Sequence, residues 1–318
     1  MILALAAMAI GIVLLMYSAD FFIDGASAIA LKFGMPKFLI GMLVIGVGTS
    51  APEIVVSVLS ALQGASSLAL GNAYGSNIIN ITLVMGATAL VSPLFIQKSL
   101  VRTDFLILLG VTALAIGLLF DGMLSRGDGV VLLTALVVFL VGQIWLARRG
   151  KVDKDKLEAD VAHAPTKMGK SIAKLIGGLV VLVLSSRLVV WGAVELATIA
   201  GLSELVIGLT IVAVGTSLPE LMSSIIAARK GEDEMALGNV IGSNIFNTLA
   251  VVGIATLIAP MSVANEIIRR DMPVMAGVTL LLFIMCVIAI LGTQKLGRVL
   301  GAILLTVFVV YTGWLFMG

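Results

Sequence analysis

The stretch Gly48-Thr49-Ser50-Ala51-Pro52-Glu53 occurs a second time as Gly215-Thr216-Ser217-Leu218-Pro219-Glu220, 167 residues further along the chain. Each copy lies in a run of apolar residues long enough to cross a bilayer, for which about 20 residues suffice. An ionisable side chain at that depth is costly, so each glutamate marks a functional site by default. The two copies therefore predict one binding site that is built from both halves of the chain.

The composition is that of an integral membrane protein. Of the 318 residues, 60% are hydrophobic and 12% are charged, and the mean hydropathy is +1.19. A soluble domain carries about 25% charged residues, which this chain cannot supply. The single Cys286 excludes an intramolecular disulfide, and the single His163 lies in a polar middle segment. A histidine-ligated metal site within the membrane is therefore not expected.

The hydrophobic pattern predicts an all-α membrane protein with ten transmembrane helices. The predicted spans are 2–30, 38–62, 68–92, 102–120, 128–147, 172–200, 205–228, 235–259, 272–292 and 297–317. A charged segment divides them into a first five-helix repeat at 1–147, a cytoplasmic linker at 148–171 and a second five-helix repeat at 172–318. Lys and Arg collect in loops on the side of the linker, which predicts that both termini are extracytoplasmic. Five helices per half make the halves inverted-topology repeats.

The duplication is visible without gaps. Residues 39–93 and 206–260 share 24 identities in 55 pairs at the constant offset of 167. A shared apolar composition produces scattered Leu and Ile matches, but it does not keep Pro, Glu, Asn and Ser in register. The register also pairs a second motif, Gly-Asn-x-x-Gly-Ser-Asn-Ile-x-Asn, at 71–80 and 238–247.

The repeated residues offer oxygen ligands only. Pro52 removes a backbone donor, so we expect carbonyls around Gly46 to Thr49 to lose their helical partners and to line a cavity. Further hydroxyl and amide oxygens share one face of the third and eighth spans, on Ser76, Asn80, Ser243 and Asn247. Together with two carboxylates, this ligand set suits Ca²⁺ or Na⁺ and does not favour Zn²⁺ or Cu⁺.

At these residues the sequence resembles the sodium/calcium exchanger family of the cation/calcium antiporter superfamily, in particular its short prokaryotic members. The resemblance rests on the two motifs, each present twice, and it extends over both halves. It implies ten helices, with the second, third, seventh and eighth forming the ion-binding core and the first and sixth sliding as a gating pair. It also implies exchange of about three Na⁺ for one Ca²⁺ by alternating access.

By position, the resemblance implies a set of ion ligands drawn from both halves. Glu53 and Glu220 would be the shared acidic ligands, and Asn80 and Asn247 would close the middle. The other implied ligands line two flanks, with Thr49, Ser50, Ser76 and the Gly46 carbonyl on one and Thr216, Ser217, Ser243 and the Ala213 carbonyl on the other. Some family members, including potassium-dependent exchangers, carry Asp at the position of Asn247. Asn in both halves argues against potassium dependence and leaves the stoichiometry and ion selectivity open.

The leading functional prediction is a secondary Na⁺/Ca²⁺ antiporter of a prokaryotic inner membrane, working as a monomer without a cofactor. Its partners would be the two ions and the bilayer, and nucleic acid is not among them. An H⁺/Ca²⁺ antiporter stays open, because two close carboxylates can carry protons. A passive cation channel is a third reading, although an inverted repeat with a site at mid-membrane favours a transporter. A membrane enzyme is not expected, since the sequence has neither a His-Glu metal motif nor a nucleophile–base pair.

Overall fold

A computed structural model describes residues 1–33, 35–149, 168–201 and 213–317. The chain is mostly helical, at 86%. Eight helices in the described part are long and apolar enough to cross a membrane, and a bent pair raises this number to nine. They match nine of the ten predicted spans. The remaining span, 205–228, begins among residues that the structure does not describe, and the predicted linker at 148–171 also lies largely outside the described residues.

The elements before the linker include one bent helix pair and two short strands. In chain order they are α1 (Ile2–Phe33), α2 (Lys37–Thr49), α3 (Ala51–Leu62), α4 (Ser66–Ile79, a π-helical turn at Asn80–Val84, then Met85–Val91), β1 (Leu94–Phe95), α5 (Lys98–Leu118), β2 (Met123–Leu124) and α6 (Arg126–Arg149).

The elements after the linker repeat much of this order. They are α7 (Met168–Ile199), α8 (Ala213–Thr216), α9 (Leu218–Arg229), α10 (Asp233–Phe246, a π-helical turn at Asn247–Val251, then Val252–Ile258), β3 (Met261–Ser262), α11 (a π-helical turn at Ile267–Asp271, then Met272–Leu291), β4 (Lys295–Leu296) and α12 (Arg298–Met317).

The two prolines of the repeated motif mark breaks in the helices. Pro52 and Pro219 lie in the first turns of α3 and α9, where a missing backbone N–H would have had no helical partner. The preceding helices end at Thr49 and Thr216. α2 and α3 consequently meet at an angle of 43°. The break leaves the Thr-Ser pair of each motif at a helix end, next to the first turn that carries the glutamate.

The centre of the bundle is formed by α4 and α10. Their membrane-spanning stretches are 72% and 83% buried, whereas those of the other long helices in the described part are between 17% and 44% buried. Both central helices carry Ser and Asn side chains, which lipid contact would disfavour. The burial of α4 and α10 therefore places the polar residues of the second motif inside protein.

Glycines bring the first half into close contact with the second. A Cβ on Gly238 of α10 would lie 2.4 Å from the Phe38 carbonyl oxygen of α2. A Cβ on Gly242 would lie 2.5 Å from the Met42 carbonyl oxygen. Only glycine permits this approach, which is the usual way in which membrane helices pack closely. The same contact brings Gly46 of α2 against Ser243 of α10.

α1 and α7 form an antiparallel pair beside this core. Gly25 of α1 packs on the backbone of Leu175, near the start of α7, and Gly192 near the end of α7 packs on Ala4. Two further glycines, Gly11 and Gly178, make the equivalent close contacts nearer the middle. Gly11 pairs with Gly178 and Gly25 with Gly192 at the offset of 167, so the helix pair follows the repeat.

An ion-pair cluster ties α1 and α7 to the end of α9. Lys230 Nζ lies 2.8 Å from Asp20, and Lys174 Nζ lies 2.9 Å from Asp24. Lys230 also bonds to Asp24. Burial alone would lower the pKa of Lys230, but its bonds to Asp20 and Asp24 outweigh burial and raise the pKa. The cluster therefore holds two cationic and two anionic side chains.

Two short antiparallel ribbons connect loops of the two halves. β1 pairs with β4, and β2 pairs with β3. β1 and β2 lie at opposite ends of α5, so the two ribbons lie at opposite ends of the bundle. β1 follows α4 and β3 follows α10, at equivalent positions of the repeat.

Candidate functional site

The two motif glutamates lie together in the interior. Glu53 and Glu220 occupy the first turns of α3 and α9, and both side chains are 0% exposed. They are close enough for their charges to act on each other. A helix N-terminus favours an anion, because the first backbone N–H groups point toward it. The fold thus brings two carboxyl groups from different halves into one buried cluster.

The hydroxyl groups of each motif lie beside the carboxyl group of the other. Ser50 Oγ donates a hydrogen bond of 3.2 Å to Glu220 Oε1. Thr49 also lies beside Glu220, and Thr216 lies beside Glu53. Neither half therefore completes its own site, and the two motifs interlock across the boundary between the halves.

Two asparagines fix the backbone at the glutamates. Asn239 Nδ2 donates to the Glu220 carbonyl at 3.2 Å and to Ser224 Oγ at 2.9 Å. Asn72 makes the same pair of bonds in the first half, to the Glu53 carbonyl and to Ser57 Oγ. Sequence reasoning did not include either asparagine in the site. The sequence showed only that Asn72 and Asn239 occupy equivalent positions of the repeat. That equivalence does not tell how far either residue lies from a glutamate.

The structure corrects the expectation for the carbonyl of Gly46. Its oxygen accepts the Ser50 N–H at 3.1 Å, so it keeps a helical partner. The reason is positional, since the N–H that Pro52 lacks would have bonded one turn back at Gly48. The Gly46 oxygen also accepts from Ser243 Oγ at 3.4 Å. It faces the second half of the chain, as the sequence predicts, but as a carbonyl that is already hydrogen-bonded.

Asn80 and Asn247 each begin a π-helical turn, at Asn80–Val84 and Asn247–Val251. Both side chains are 0% exposed. The turn of Asn247 packs against α3, which carries Glu53, and the turn of Asn80 packs against α9, which carries Glu220. Such turns occur often at functional sites, where they re-aim side chains. The two amides therefore belong to the same interlocked region as the carboxyl groups.

Several buried polar atoms of this region lack a hydrogen bond of good geometry within the described chain. They are both carboxyl oxygens of Glu53, one of Glu220, the hydroxyls of Ser76 and Ser217, and the side-chain amides of Asn80 and Asn247. Buried polar groups normally have partners, because an unpaired one costs about 1–3 kcal/mol. A concentration of oxygen atoms around two carboxylates fits a desolvated cation.

The donor set also limits which cation fits. Among the described residues, there is no cluster of three or more His, Cys, Asp or Glu side chains with the geometry of a metal site. The charge of the cluster comes from Glu53 and Glu220, and the remaining donors are neutral oxygens. Ala213 is the first residue of α8, which packs against α7 and α4.

A second pair of buried acids lies outside this cluster. Asp104 of α5 accepts a hydrogen bond of 3.0 Å from Gln143 of α6. Asp271 of α11 accepts one of 3.0 Å from Tyr311 of α12. The two aspartates are 167 residues apart, so both belong to the repeat, and sequence reasoning did not single them out. Their bonds tie neighbouring helices together, which gives them a structural role.

Comparisons with known proteins find relatives over nearly the whole chain. The chain matches the sodium/calcium exchanger protein family over residues 3–145 and 170–317. It is 44% identical to CaxA of Alkalimonas amylolytica over 309 residues, covering 96% of this chain and 97% of CaxA. It is 39% identical to the inner membrane protein YrbG of Escherichia coli over 320 residues, covering 99% of this chain and 98% of YrbG.

A solved structure shows the same fold. The sodium-calcium exchanger NCX_Mj superposes with a TM-score of 0.81 at 34% sequence identity, covering 97% of both chains. The chain therefore belongs to the sodium/calcium exchanger family. Its fold is that of a multi-span membrane transporter, and Na⁺ and Ca²⁺ are the transported substrates of that family.

Proposed function

We propose that this chain is a secondary antiporter that exchanges Na⁺ for Ca²⁺ by alternating access. The observation that carries the proposal is the meeting of Glu53 and Glu220, each fully buried and each contributed by a different half. Two carboxylates balance one Ca²⁺ or two Na⁺. Left without a cation, they would repel each other, and burying an unpaired charge costs several kcal/mol. The site must therefore exchange one cation load for another, or for protons.

The proposed ligands are the twelve residues that the sequence singled out. Glu53 and Glu220 supply the charge, and Asn80 and Asn247 supply amide oxygens at the centre. The flanks are Thr49, Ser50, Ser76 and the Gly46 carbonyl on one side, and Thr216, Ser217, Ser243 and the Ala213 carbonyl on the other. The bond from Ser50 to Glu220 and the unpaired buried oxygens of Ser76 and Ser217 support this set.

The proposed architecture is ten transmembrane helices in two inverted repeats, 1–147 and 172–318, joined by the cytoplasmic linker 148–171. The ribbons support the inversion, because the equivalent strands β1 and β3 lie at opposite ends of the bundle. The excess of basic residues on the side of the linker supports extracytoplasmic termini. The inner-membrane description of YrbG supports the same membrane for this chain. We propose that a monomer is the functional unit.

The proposed stoichiometry is about three Na⁺ for each Ca²⁺, which makes the cycle electrogenic. It rests on the resemblance to the family, since two carboxylates by themselves also suit an electroneutral exchange of two Na⁺. Asn247, in place of the Asp of potassium-dependent exchangers, supports exchange that does not need K⁺.

The test is ⁴⁵Ca²⁺ uptake into proteoliposomes that contain the purified chain. Vesicles are loaded with Na⁺, K⁺ or choline at matched pH, and a separate set carries only a pH gradient. An outward Na⁺ gradient should drive uptake, while K⁺, choline or a pH gradient should not. Uptake driven equally well by protons would replace the proposal with H⁺/Ca²⁺ exchange. Uptake that needs no counter-ion gradient would indicate a passive channel.

A further inference from the structure

A groove runs along the outer face of the α1–α7 pair. It encloses a cavity of about 590 Å³ and is lined almost entirely by apolar atoms. Tyr17 and Phe21 of α1 line one wall and are 66% and 49% exposed. Gly177 and Val181 of α7 line the other. The groove is separate from the glutamate cluster, which is wholly buried.

The length of the groove matches one leaflet of a bilayer. On α7 it extends from Lys170 to Val181, which is about 16 Å at 1.5 Å per residue. The hydrocarbon core of a bilayer is about 30 Å thick, so a single leaflet accounts for about half of that. With Lys170 and Lys174 at a membrane interface, a groove of this length would extend to about the midplane.

Positive charge lies at one end of the groove only. Lys170 and Lys174 line its mouth, one helical turn apart. Lys174 is already paired with Asp24 at 2.9 Å, within the ion-pair cluster of two cations and two anions. Lys170 is exposed and makes no ion pair within the described part of the chain. Counted over the described residues, the mouth thus has one net positive charge, while the rest of the groove is apolar.

A glycine keeps the groove open. A Cβ added to Gly177 would meet no heavy atom within 4 Å, whereas its neighbour Gly178 lies directly against Phe22 of α1. Gly178 is therefore used for helix packing, and Gly177 leaves space on the outer side. A flexible acyl chain would occupy that space without moving the protein.

We propose that this groove binds one anionic phospholipid, with an acyl chain along Tyr17, Phe21 and Gly177 and the phosphate at Lys170. Basic pockets between transmembrane helices at a membrane interface are suited to anionic headgroups. A headgroup with a single negative charge, such as phosphatidylglycerol, matches the one net positive charge at the mouth. The site is independent of the ion exchange proposed above.

Native mass spectrometry of the full chain tests the proposal. The protein is mixed with equimolar phosphatidylglycerol and phosphatidylcholine of identical acyl chains, and one phosphatidylglycerol should be retained in preference. Lys170→Gln should weaken that retention about fivefold, the effect of one basic residue at a membrane surface. Lys98→Gln is the matched control, because Lys98 is also exposed at the start of a helix but lies outside the groove.

A second variant pair tests the apolar part of the site. A Cβ at Gly177 meets nothing within 4 Å, so Gly177→Phe places a ring in the groove and should abolish retention. Gly110→Phe, at an exposed glycine of α5 whose Cβ also meets nothing within 4 Å, should leave it unchanged. The proposal is overturned if phosphatidylcholine is retained equally well, if Lys98→Gln matches Lys170→Gln, or if Gly177→Phe still retains the lipid.

Discussion

At the residue scale, the charge of the proposed ion site comes from Glu53 and Glu220. Both are fully buried, and the other proposed ligands are neutral oxygens. A glutamine has nearly the same shape as a glutamate, so its substitution removes the charge and leaves the packing in place. Replacing each glutamate with glutamine therefore separates the role of charge in ion binding from its role in folding.

We expect Glu53→Gln and Glu220→Gln each to weaken Ca²⁺ binding by about 100-fold or more. Removing one partner of a buried ion pair costs about 3–5 kcal/mol, which corresponds to that loss. Calcium binding to purified protein and ⁴⁵Ca²⁺ uptake both measure the effect. The control is Asp104→Asn, which changes a buried acid outside the cluster and should transport Ca²⁺ normally. Unchanged affinity in both glutamine variants would exclude the carboxylates as ligands.

Asn239 acts on the backbone that carries Glu220. Asn239→Ala removes its bonds to the Glu220 carbonyl and to Ser224. We expect the variant to be destabilised by about 1–3 kcal/mol, because buried polar groups lose their partners. Thermal unfolding in detergent measures this loss.

The control for Asn239 is Thr306→Ala. Thr306 is exposed, and its hydroxyl bonds to the Ala302 carbonyl of its own helix, so its removal should change stability little. Equal unfolding temperatures for Asn239→Ala and the wild type would show that Asn239 does not hold the motif in place.

At the element scale, the site depends on the close approach of α2 and α10. Gly238 and Gly242 permit it, and the contact sets Gly46 against Ser243. The breaks at Pro52 and Pro219 then place Glu53 and Glu220 in the first turns of α3 and α9. Helix packing and helix breaks therefore position ligands that no single helix could assemble.

Gly242→Ala should separate α2 from α10. Its Cβ would lie 2.5 Å from the Met42 carbonyl oxygen, so the helices must shift. We expect lower thermal stability and loss of Ca²⁺ uptake. Gly117→Ala in α5 is the matched control, because a Cβ there meets nothing within 4 Å. Normal uptake by Gly242→Ala would show that the site does not require this contact.

The sequence predicted the elements of the site better than their contacts. Pro52 and Pro219 gave the helix breaks, and the repeat register singled out the residues that the structure brings together. The repeat register did not reveal the roles of Asn72 and Asn239, because it identifies equivalent residues and not their contacts. The prediction that the Gly46 carbonyl loses its helical partner was wrong, because Pro52 removes the N–H that would bond Gly48, and Gly46 still accepts from Ser50. The π-helical turns at Asn80 and Asn247 also have no clear signature in the side-chain pattern.

At the scale of the whole molecule, two interlocked halves hold one site at their boundary. The hydroxyl groups of each motif lie beside the carboxyl group of the other, so each half contributes to the surroundings of the other half's glutamate. The α1–α7 pair is linked to this core at one end by Lys230 and its aspartates. This arrangement is suited to alternating access, in which one part moves past a site that stays central.

The proposed stoichiometry makes transport sensitive to voltage. A Ca²⁺-loaded site with two carboxylates is close to neutral, and a site with three Na⁺ has about one net positive charge. One charge crossing the full field is worth about 2.3 kcal/mol per 100 mV. Uptake of Ca²⁺ against internal Na⁺ should therefore accelerate when the vesicle interior is made positive with K⁺ and valinomycin. Uptake that does not change with voltage would indicate two Na⁺ per Ca²⁺ and would leave the Glu53–Glu220 site intact.

We propose that Na⁺ and Ca²⁺ occupy the Glu53–Glu220 site in turn. The decisive measurement is equilibrium binding of ⁴⁵Ca²⁺ to the purified chain, titrated with Na⁺ at constant ionic strength. We expect one Ca²⁺ per chain, displaced completely by Na⁺ along a sigmoidal curve and not displaced by choline. Calcium that stays bound at saturating Na⁺ would show that the two ions use separate sites and would rule out a shared site.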